Sequence, residues 1–386
     1  MSVDQIEISL SEVCELVTDG THDSPKLKPS GVPFIKGKHI SSGVIDFENC
    51  DFISEEDHRL CIKRVEPQAG DILMSNIGSV GDSAQVPHGY TFSIKNVALL
   101  RPNRSIVNEL YFFYLFRNPA FKKKLINLKA GSAQQYISLA ALRGHRITIV
   151  KHLPTQERIA GVLSAYDDLI ENNRRRIALL EQAARLLYRE WFVHFRFPGS
   201  ETTKFVDGLP EGWEVRKVKD LITRLKSKPK VRKDEYQAYG QWPCVDQGQD
   251  FIGGYTDNRE AIYHDGLPLI VFGDHTRALK FVDFPFARGA DGTQIIQSNE
   301  ERLPQELFYF SLINVDLSNY AYARHFKFLK EQEIIVPTLE MAKIFSDQAK
   351  AIFDQVRTLR GQNQKLTEAR DLLLPRLMDG RLPIPE

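Results

Sequence analysis

Residues 171–192 read ENNRRRIALLEQAARLLYREWF. Ile177, Leu180, Ala184 and Leu187 recur there at alternating steps of three and four, the spacing that keeps one side of a helix against a partner over many turns. Arg174, Arg175 and Arg176 stand mainly off that line. The triple arginine therefore reads as a solvated or partner-facing side of the helix, with contact to a DNA backbone as the other reading. Toward the N-terminus the seam continues through Ile159, Leu163, Tyr166, Ile170 and Asn173. A helix of about 37 residues from Thr155 to Trp191 would be about 55 Å long at about 1.5 Å per residue. That is far longer than a globular domain needs for its own core.

The pattern returns near the C-terminus as Phe345, Ala349, Ile352, Val356, Leu359, Asn363, Leu366, Arg370, Leu373 and Leu377. Two such helices in one chain most simply pack on each other, and a pseudo-two-fold repeat requires them to run antiparallel. Asn173 and Asn363 are polar positions within the seams, where a polar residue costs stability and fixes register. Each helix follows a β-branched run, Ile147 to Val150 and Ile334 to Val336, and a proline-threonine pair suited to a helix first turn. ISLSEVCELV near the start and VRKVKDLITR after Trp213 share an apolar spacing, so the upstream regions repeat as well.

The globular parts carry short β-like runs such as VPFIKGKHI and LPLIVFGDH, broken by Gly, Asn and Asp, beside helical stretches such as NELYFFYLFRNPAFKKKL and QELFYFSLINVDL. RFPGSETTKFVDGLPEGW has the composition of a connector. The expected fold is α+β: two mixed α/β domains separated by two long antiparallel helices that form a coiled coil, with an internal pseudo-two-fold repeat. The boundaries read as a first domain over 1–150, a long helix and connector over 151–204, a second domain over 205–336 and a distal long helix over 337–386. Two similar heads on such helices suit the reading of two marks on one long object, and DNA is one such object. A scaffold that holds two protein partners apart is the alternative.

Composition narrows the class. The 386 residues are 42% hydrophobic and 26% charged, which suits a packed globular protein. No apolar run approaches the roughly 18–20 residues of a membrane span, and MSVDQIEISL lacks the basic and apolar regions of a signal peptide, so a cytoplasmic location is expected. Cys14, Cys50, Cys61 and Cys244 are scattered without metal-ligand spacing, which points to buried thiols and no metal site. The net charge of +1 does not by itself announce a nucleic-acid binder, so local clusters carry that case. Arg224, Lys226, Lys228, Lys230, Arg232 and Lys233 form one such run, and Lys122 to Lys124 a shorter one. Neither GSVGDS nor GADGTQ has the spacing of a phosphate-binding loop. RNPAF, residues 117–121, loosely resembles the base-gripping turn of amino-methyltransferases but lacks its second proline.

GTHDS and GDHTR pair histidine with acid, yet without a nucleophile they suit recognition better than catalysis. Their side chains carry the donors and acceptors that phosphates and base edges require. The candidate DNA-contacting residues in the first domain are Thr21, His22, Lys26, Lys28, Lys36, Lys38, Ser75, Asn76, Ser132, Gln134, Gln135 and Tyr136. In the second they are Gln247, Gln249, His275, Thr276, Arg277, Lys280, Arg288, Asp291, Thr293, Gln294, Arg324, His325 and Lys327. No catalytic residue is expected.

Taken in order, residues 19–40, GDILMSNIGSVGD (70–82), residues 154–199, LPEGWE (209–214), FGDHTRALKFVDFPFARGADGT (272–293) and YARHFKFLKEQEIIVPTLE (322–340) resemble stretches of the specificity subunits of type I restriction-modification systems. The resemblance covers nearly the whole chain. It implies two target recognition domains, each reading half of a bipartite, asymmetric DNA sequence, and paired helices that serve as spacer and docking surface. The implied partners are double-stranded DNA, two methyltransferase subunits and two motor/nuclease subunits. S-adenosylmethionine, ATP and magnesium then belong to those partners, and this chain holds no cofactor and catalyses nothing. A self-sufficient adenine methyltransferase remains the enzymatic alternative.

Overall fold

The computed structural model describes residues 4–41, 43–76, 80–128, 136–223, 225–289, 291–320 and 324–382. Its contacts divide the chain into two compact units, Met1–Asn172 with Gln362–Glu386, and Asn173–Gly361. Two helices of 40 residues each, Leu153–Phe192 and Leu339–Met378, contribute a part of their length to both. Among the described residues no helix is long and apolar enough to cross a membrane.

In the first unit the opening strand, Gln5–Ser9, pairs antiparallel with Arg146–Val150, the strand that runs into the first long helix. A single helical turn follows, Leu10–Val13, opened by Ser9, whose amide and hydroxyl both donate to the Glu12 carboxylate at 2.8 and 2.6 Å. Leu10 and Val13 are fully buried. A four-stranded antiparallel sheet runs in the order Cys14–Asp19, Ala98–Pro102, Ile72–Met74, Ser83–Gln85. A second sheet joins Val32–Lys36 to Asp51–Ile53 antiparallel and to Ser93–Lys95 in parallel. The aromatic helix Glu109–Arg117 is capped by Asn108, whose side chain accepts from the Leu110 and Tyr111 amides.

The second unit repeats this plan. Glu214–Lys217 pairs antiparallel with Glu333–Val336 ahead of the other long helix, and a turn at Val218–Leu221 buries Val218 and Leu221 where the first unit buries Leu10 and Val13. Leu269–Gly273 lies between Leu279–Val282 and Thr293–Ile296. Trp242–Val245 pairs antiparallel with Gly254–Thr256 and in parallel with Phe286–Arg288. The helix Gln305–Ile313 takes the place of the aromatic helix.

Within each unit the long helices close the core. Ile159 and Leu163 of the first share one apolar cluster with Leu374 and Leu377 of the second and with Tyr111, Phe112 and Phe116. In the other unit Tyr188 and Phe192 pack on Phe345, with Phe192 and Phe345 crossing edge to face at 5.1 Å. In each case the start of one helix meets the end of the other, so both pairings are antiparallel. The seam positions follow the apolar repeat. Ile159, Leu163, Ile170, Asn173, Ala184, Val356, Leu359, Arg370 and Leu377 are buried, and Tyr166, Ile177, Leu180, Leu187, Ile352, Asn363, Leu366 and Leu373 are half-buried. Arg174, Arg175 and Arg176 are exposed. Asn363 donates its side-chain amide to the Ile170 carbonyl at 3.3 Å.

The two units fasten domain to helix by different chemistry at matching places. In the first, Asp167 accepts from the Tyr114 hydroxyl at 2.6 Å and Arg117 at 2.9 Å, and Arg370 donates to its other oxygen. Burial, then Asp167 beside it, pushes the Tyr114 hydroxyl pKa well up, so it stays a donor. Phe353 lies as far past Phe345 as Asp167 lies past Ile159, and Ala184 matches Arg370 by the same count. There Phe353 stacks on Phe281 at 4.0 Å and on Phe310 at 5.6 Å, and Ala184 is buried.

Gln156, fully buried, ties the first long helix to its domain. Its oxygen accepts from the Asn108 amide at 2.7 Å, and its nitrogen donates to the carbonyls of Val150 at 2.7 Å and Ile106 at 3.2 Å. Gln156→Leu strands all three groups. It should cost about 1–3 kcal/mol and lower the unfolding midpoint of the first unit, read by hydrogen exchange of residues 106–111. Unchanged protection of those amides would contradict the role.

Candidate nucleic-acid interface

In the first unit the polar groups collect where Cys14–Asp19 ends. Gly20 runs so close to the next strand that a Cβ would sit 2.2 Å from the Ile94 oxygen. Thr21 is buried, and its amide donates to Ile94 O at 3.0 Å. This fixes His22, which is exposed, with Nδ1 2.9 Å from Asn96 Oδ1 and Nε2 3.3 Å from Asp19. Arg64 clamps Asp19 through its carboxylate and, at 3.0 Å, its carbonyl. Lys95 donates to Ser24. Arg64, Lys95 and Asn96 are absent from the sequence-derived set. Their one legible signal is Asn96 at φ 50°, since Asn tolerates the left-handed turn that breaks SIKNVALL into two strands.

The remaining first-domain candidates are spread more widely. Lys26 and Lys28 are exposed, and the Lys28 amide donates to Phe52 O at 2.9 Å. Lys36 and the exposed Lys38 flank Asp51 at 2.7 and 3.5 Å, and the Lys36 hydrogen bond chiefly holds the Asp51 carboxyl below the usual range. Ser75 and Asn76 are buried at the end of a central strand, where the Asn76 carbonyl accepts from the Ile137 amide at 3.0 Å. Tyr136 is exposed. Ser132, Gln134 and Gln135 lie outside the described residues.

In the second unit Gln247 stitches three loops together. Its side chain donates to Asp291 O at 2.9 Å and accepts from the His275 amide at 3.1 Å, while its carbonyl accepts from the Thr276 hydroxyl at 2.5 Å. Gly292, at φ 85°, leaves room for this, because a Cβ would lie 2.7 Å from Gln247 Oε1. His275, Thr276, Arg277, Asp291 and Gln249 are exposed around the stitch. Arg277 also reaches Leu317 O at 3.1 Å, and Lys230, from the basic run, meets Asp291 at 3.1 Å. Arg324 and Lys327 are exposed on a neighbouring segment.

Several candidates in this unit hold structure. Lys280 is buried and donates to the carbonyls of Asp246, at 2.8 Å, and Asp250. Burial is the main influence on its pKa and lowers it, against the pull of Asp246 and Asp250. His325 is buried between the Asp274 and Tyr320 carbonyls, both at 2.9 Å. Thr293 is buried, and Arg288 and Gln294 are half-buried. In RNPAF, Asn118 caps the helix Pro119–Ile126 by accepting from the Ala120 amide at 3.0 Å. All four cysteines are buried and free, and burial pushes the Cys244 thiol up to about 11. Among the described residues no group of three or more His, Cys, Asp and Glu is placed to hold a metal ion.

One frame built twice, with unlike polar loops gathered at its strand ends, is the plan of a modular recognition protein. A family model described as the type I restriction modification DNA specificity domain matches residues 3–182 and again 210–368, and the chain belongs to that family. The MjaIX specificity subunit of Methanocaldococcus jannaschii is 24% identical, over 94% of this chain and 88% of its own length. The HindI specificity subunit of Haemophilus influenzae is 24% identical over 74% of this chain and 80% of its own. The crystal structure of a type I S subunit from M. genitalium aligns with 100% of this chain and 97% of its own, at 15% identity and a TM-score of 0.57, and shares the fold. The family's part in restriction-modification is recognition of DNA rather than chemistry.

Lys280→Met removes the donor to two loop carbonyls. It should open residues 246–252 to proteolysis and cost about 1–3 kcal/mol locally, with the first unit's cleavage pattern unchanged. A digestion pattern identical to that of the parent chain would remove Lys280 from this role.

Proposed function

We propose that this chain reads a bipartite, asymmetric DNA target, one half per domain. The observation that carries this is the double frame with different loop chemistry: His22, Asn96 and Arg64 in one unit, and Gln247, His275, Thr276 and Arg277 in the other. Equal loops would suit a palindrome; unequal ones suit two different half-sites. The exposed lysines and arginines meet phosphates and set register, and the imidazole, amide and hydroxyl groups read base edges. Each phosphate contact adds to a salt dependence that base contacts lack.

The long helices dock the methyltransferase subunits. Support comes from their exposed apolar side chains, Val162, Leu169, Leu179, Leu186 and Leu372, which no core of this chain covers. Two methyltransferase and two motor/nuclease subunits complete the assembly, and S-adenosylmethionine, ATP and magnesium act on them in the cytoplasm. The target adenine is extruded into the partner's pocket, since chemistry on a base requires its removal from the stack.

Replacing residues 1–150 by another first domain of the family should change one half of the methylated sequence and leave the other intact, as read by mapping methylated adenines across a genome. Change in both halves, or in neither, would overturn the assignment of one half per domain. Arg64→Ala should weaken DNA binding by roughly tenfold, most strongly at low salt.

A further inference from the structure

The second domain contains a cleft of about 280 Å³, lined in part by Arg288 and Gln294, two DNA-contacting candidates that are half-buried there rather than displayed on an exposed loop. Among the described residues its lining holds three cations, Lys219, Arg288 and Lys330, and no carboxylate. Lys219 is engaged by Glu331 at 3.1 Å outside the lining. Arg288 donates Nη2 to Ser227 Oγ at 3.2 Å and Lys228 O at 3.3 Å, but its Nε is buried without an acceptor among the described residues. Arg288 is half-buried and lines the cleft, so its guanidinium can meet an incoming anion with charge-assisted hydrogen bonds, about twice as strong as neutral ones. Tyr263 and Phe326 add aromatic rings to the wall, and Lys330 lies 5.5 Å from the Phe326 ring.

This cleft is not a by-product of the repeated frame. Arg288 stands opposite Val245 in the parallel pair where the first domain has Ile94 opposite Ile35. Gln294, also in the lining, stands opposite Phe272 where the first domain has Ala98 opposite Met74. Ile94 and Ala98 are buried in the first domain's core. The second copy has thus exchanged two core side chains for a guanidinium and an amide.

We propose that the cleft binds a nucleotide unit, with Arg288 and Lys330 on its phosphate and the aromatic wall beside its base. A bare phosphate would leave most of the volume empty, whereas the cleft sits near the lower end of small-molecule pockets, roughly 300–1,000 Å³. Aromatic side chains stack bases of any sequence. The unit comes from one of two sources, a free mononucleotide or an extrahelical nucleotide of the bound duplex. Only the second rests on the DNA reading above.

The test uses the full chain. Calorimetry with the four deoxynucleoside 5′-monophosphates and with inorganic phosphate addresses the free source. Duplexes of the mapped target, fully paired or with one unpaired nucleotide, address the other. Saturable binding of a mononucleotide, weakened about tenfold or more by Arg288→Met and by Lys330→Ala, supports the free source. A preference of about tenfold for the unpaired duplex, lost in the same variants, supports the DNA source. If Arg288→Met does not fold, Lys330→Ala carries the comparison. No saturable nucleotide binding together with no duplex preference overturns the proposal, as does phosphate binding as tight as any nucleotide, or binding that neither variant changes. A duplex bound without preference overturns the DNA source and leaves the DNA reading standing; a duplex not bound at all overturns that reading, and calorimetry still decides the cleft.

Discussion

Ile159 and Leu163 face two ways at once: they meet Leu374 and Leu377 across the helix pair, and they complete the core around Tyr111, Phe112 and Phe116. Phe345 does the same for Tyr188, Phe192 and Phe310. The aromatic helix of each domain shares its core with the long helices, so the apolar seam is both a helix contact and a wall of each core. Burial of such side chains contributes about 1.5–3 kcal/mol each, so the seam adds to the cohesion of either unit. The loops that carry function are held only as well as the cores beneath them.

The two units fasten domain to helix by different routes. Asp167, Tyr114, Arg117 and Arg370 form a half-buried ionic cluster, and replacing one partner would leave charge stranded in low dielectric. Phe281, Phe310 and Phe353 form a stacked apolar cluster, adding about 0.5–1.5 kcal/mol per pair beyond area. An ionic cluster loses more to a single substitution; an aromatic one tolerates change of size less than change of shape.

The seam, the pseudo-repeat and the family were legible because period and order survive in the chain itself. The strand after each domain and the long helix beyond it announce themselves through β-branched runs and the three-four spacing. Individual site residues were harder. Lys280 and His325 have the composition of DNA contacts, yet both are buried against carbonyl oxygens, and nothing in LKFV or ARHFKF distinguishes an anchoring side chain from a reading one. Arg64 and Asn96 were harder to find for the opposite reason: they sit far from His22 in the chain, and only folding brings them to it. Register decides such cases, and a sequence carries register only through neighbours.

The anchors have one further property. Lys280, His325 and Gln156 all grip main-chain oxygens: those of Asp246 and Asp250, of Asp274 and Tyr320, and of Val150 and Ile106. Every amino acid supplies such an oxygen. The hydrogen bonds to Asp246, Asp250 and Tyr320 therefore do not depend on which side chains the loops display, while the carboxylates of Asp246 and Asp250 add a charge attraction of their own to Lys280. New letters can be written into those loops by point substitution while the scaffold continues to hold them in the same place, so that target preference can drift without a matching change underneath.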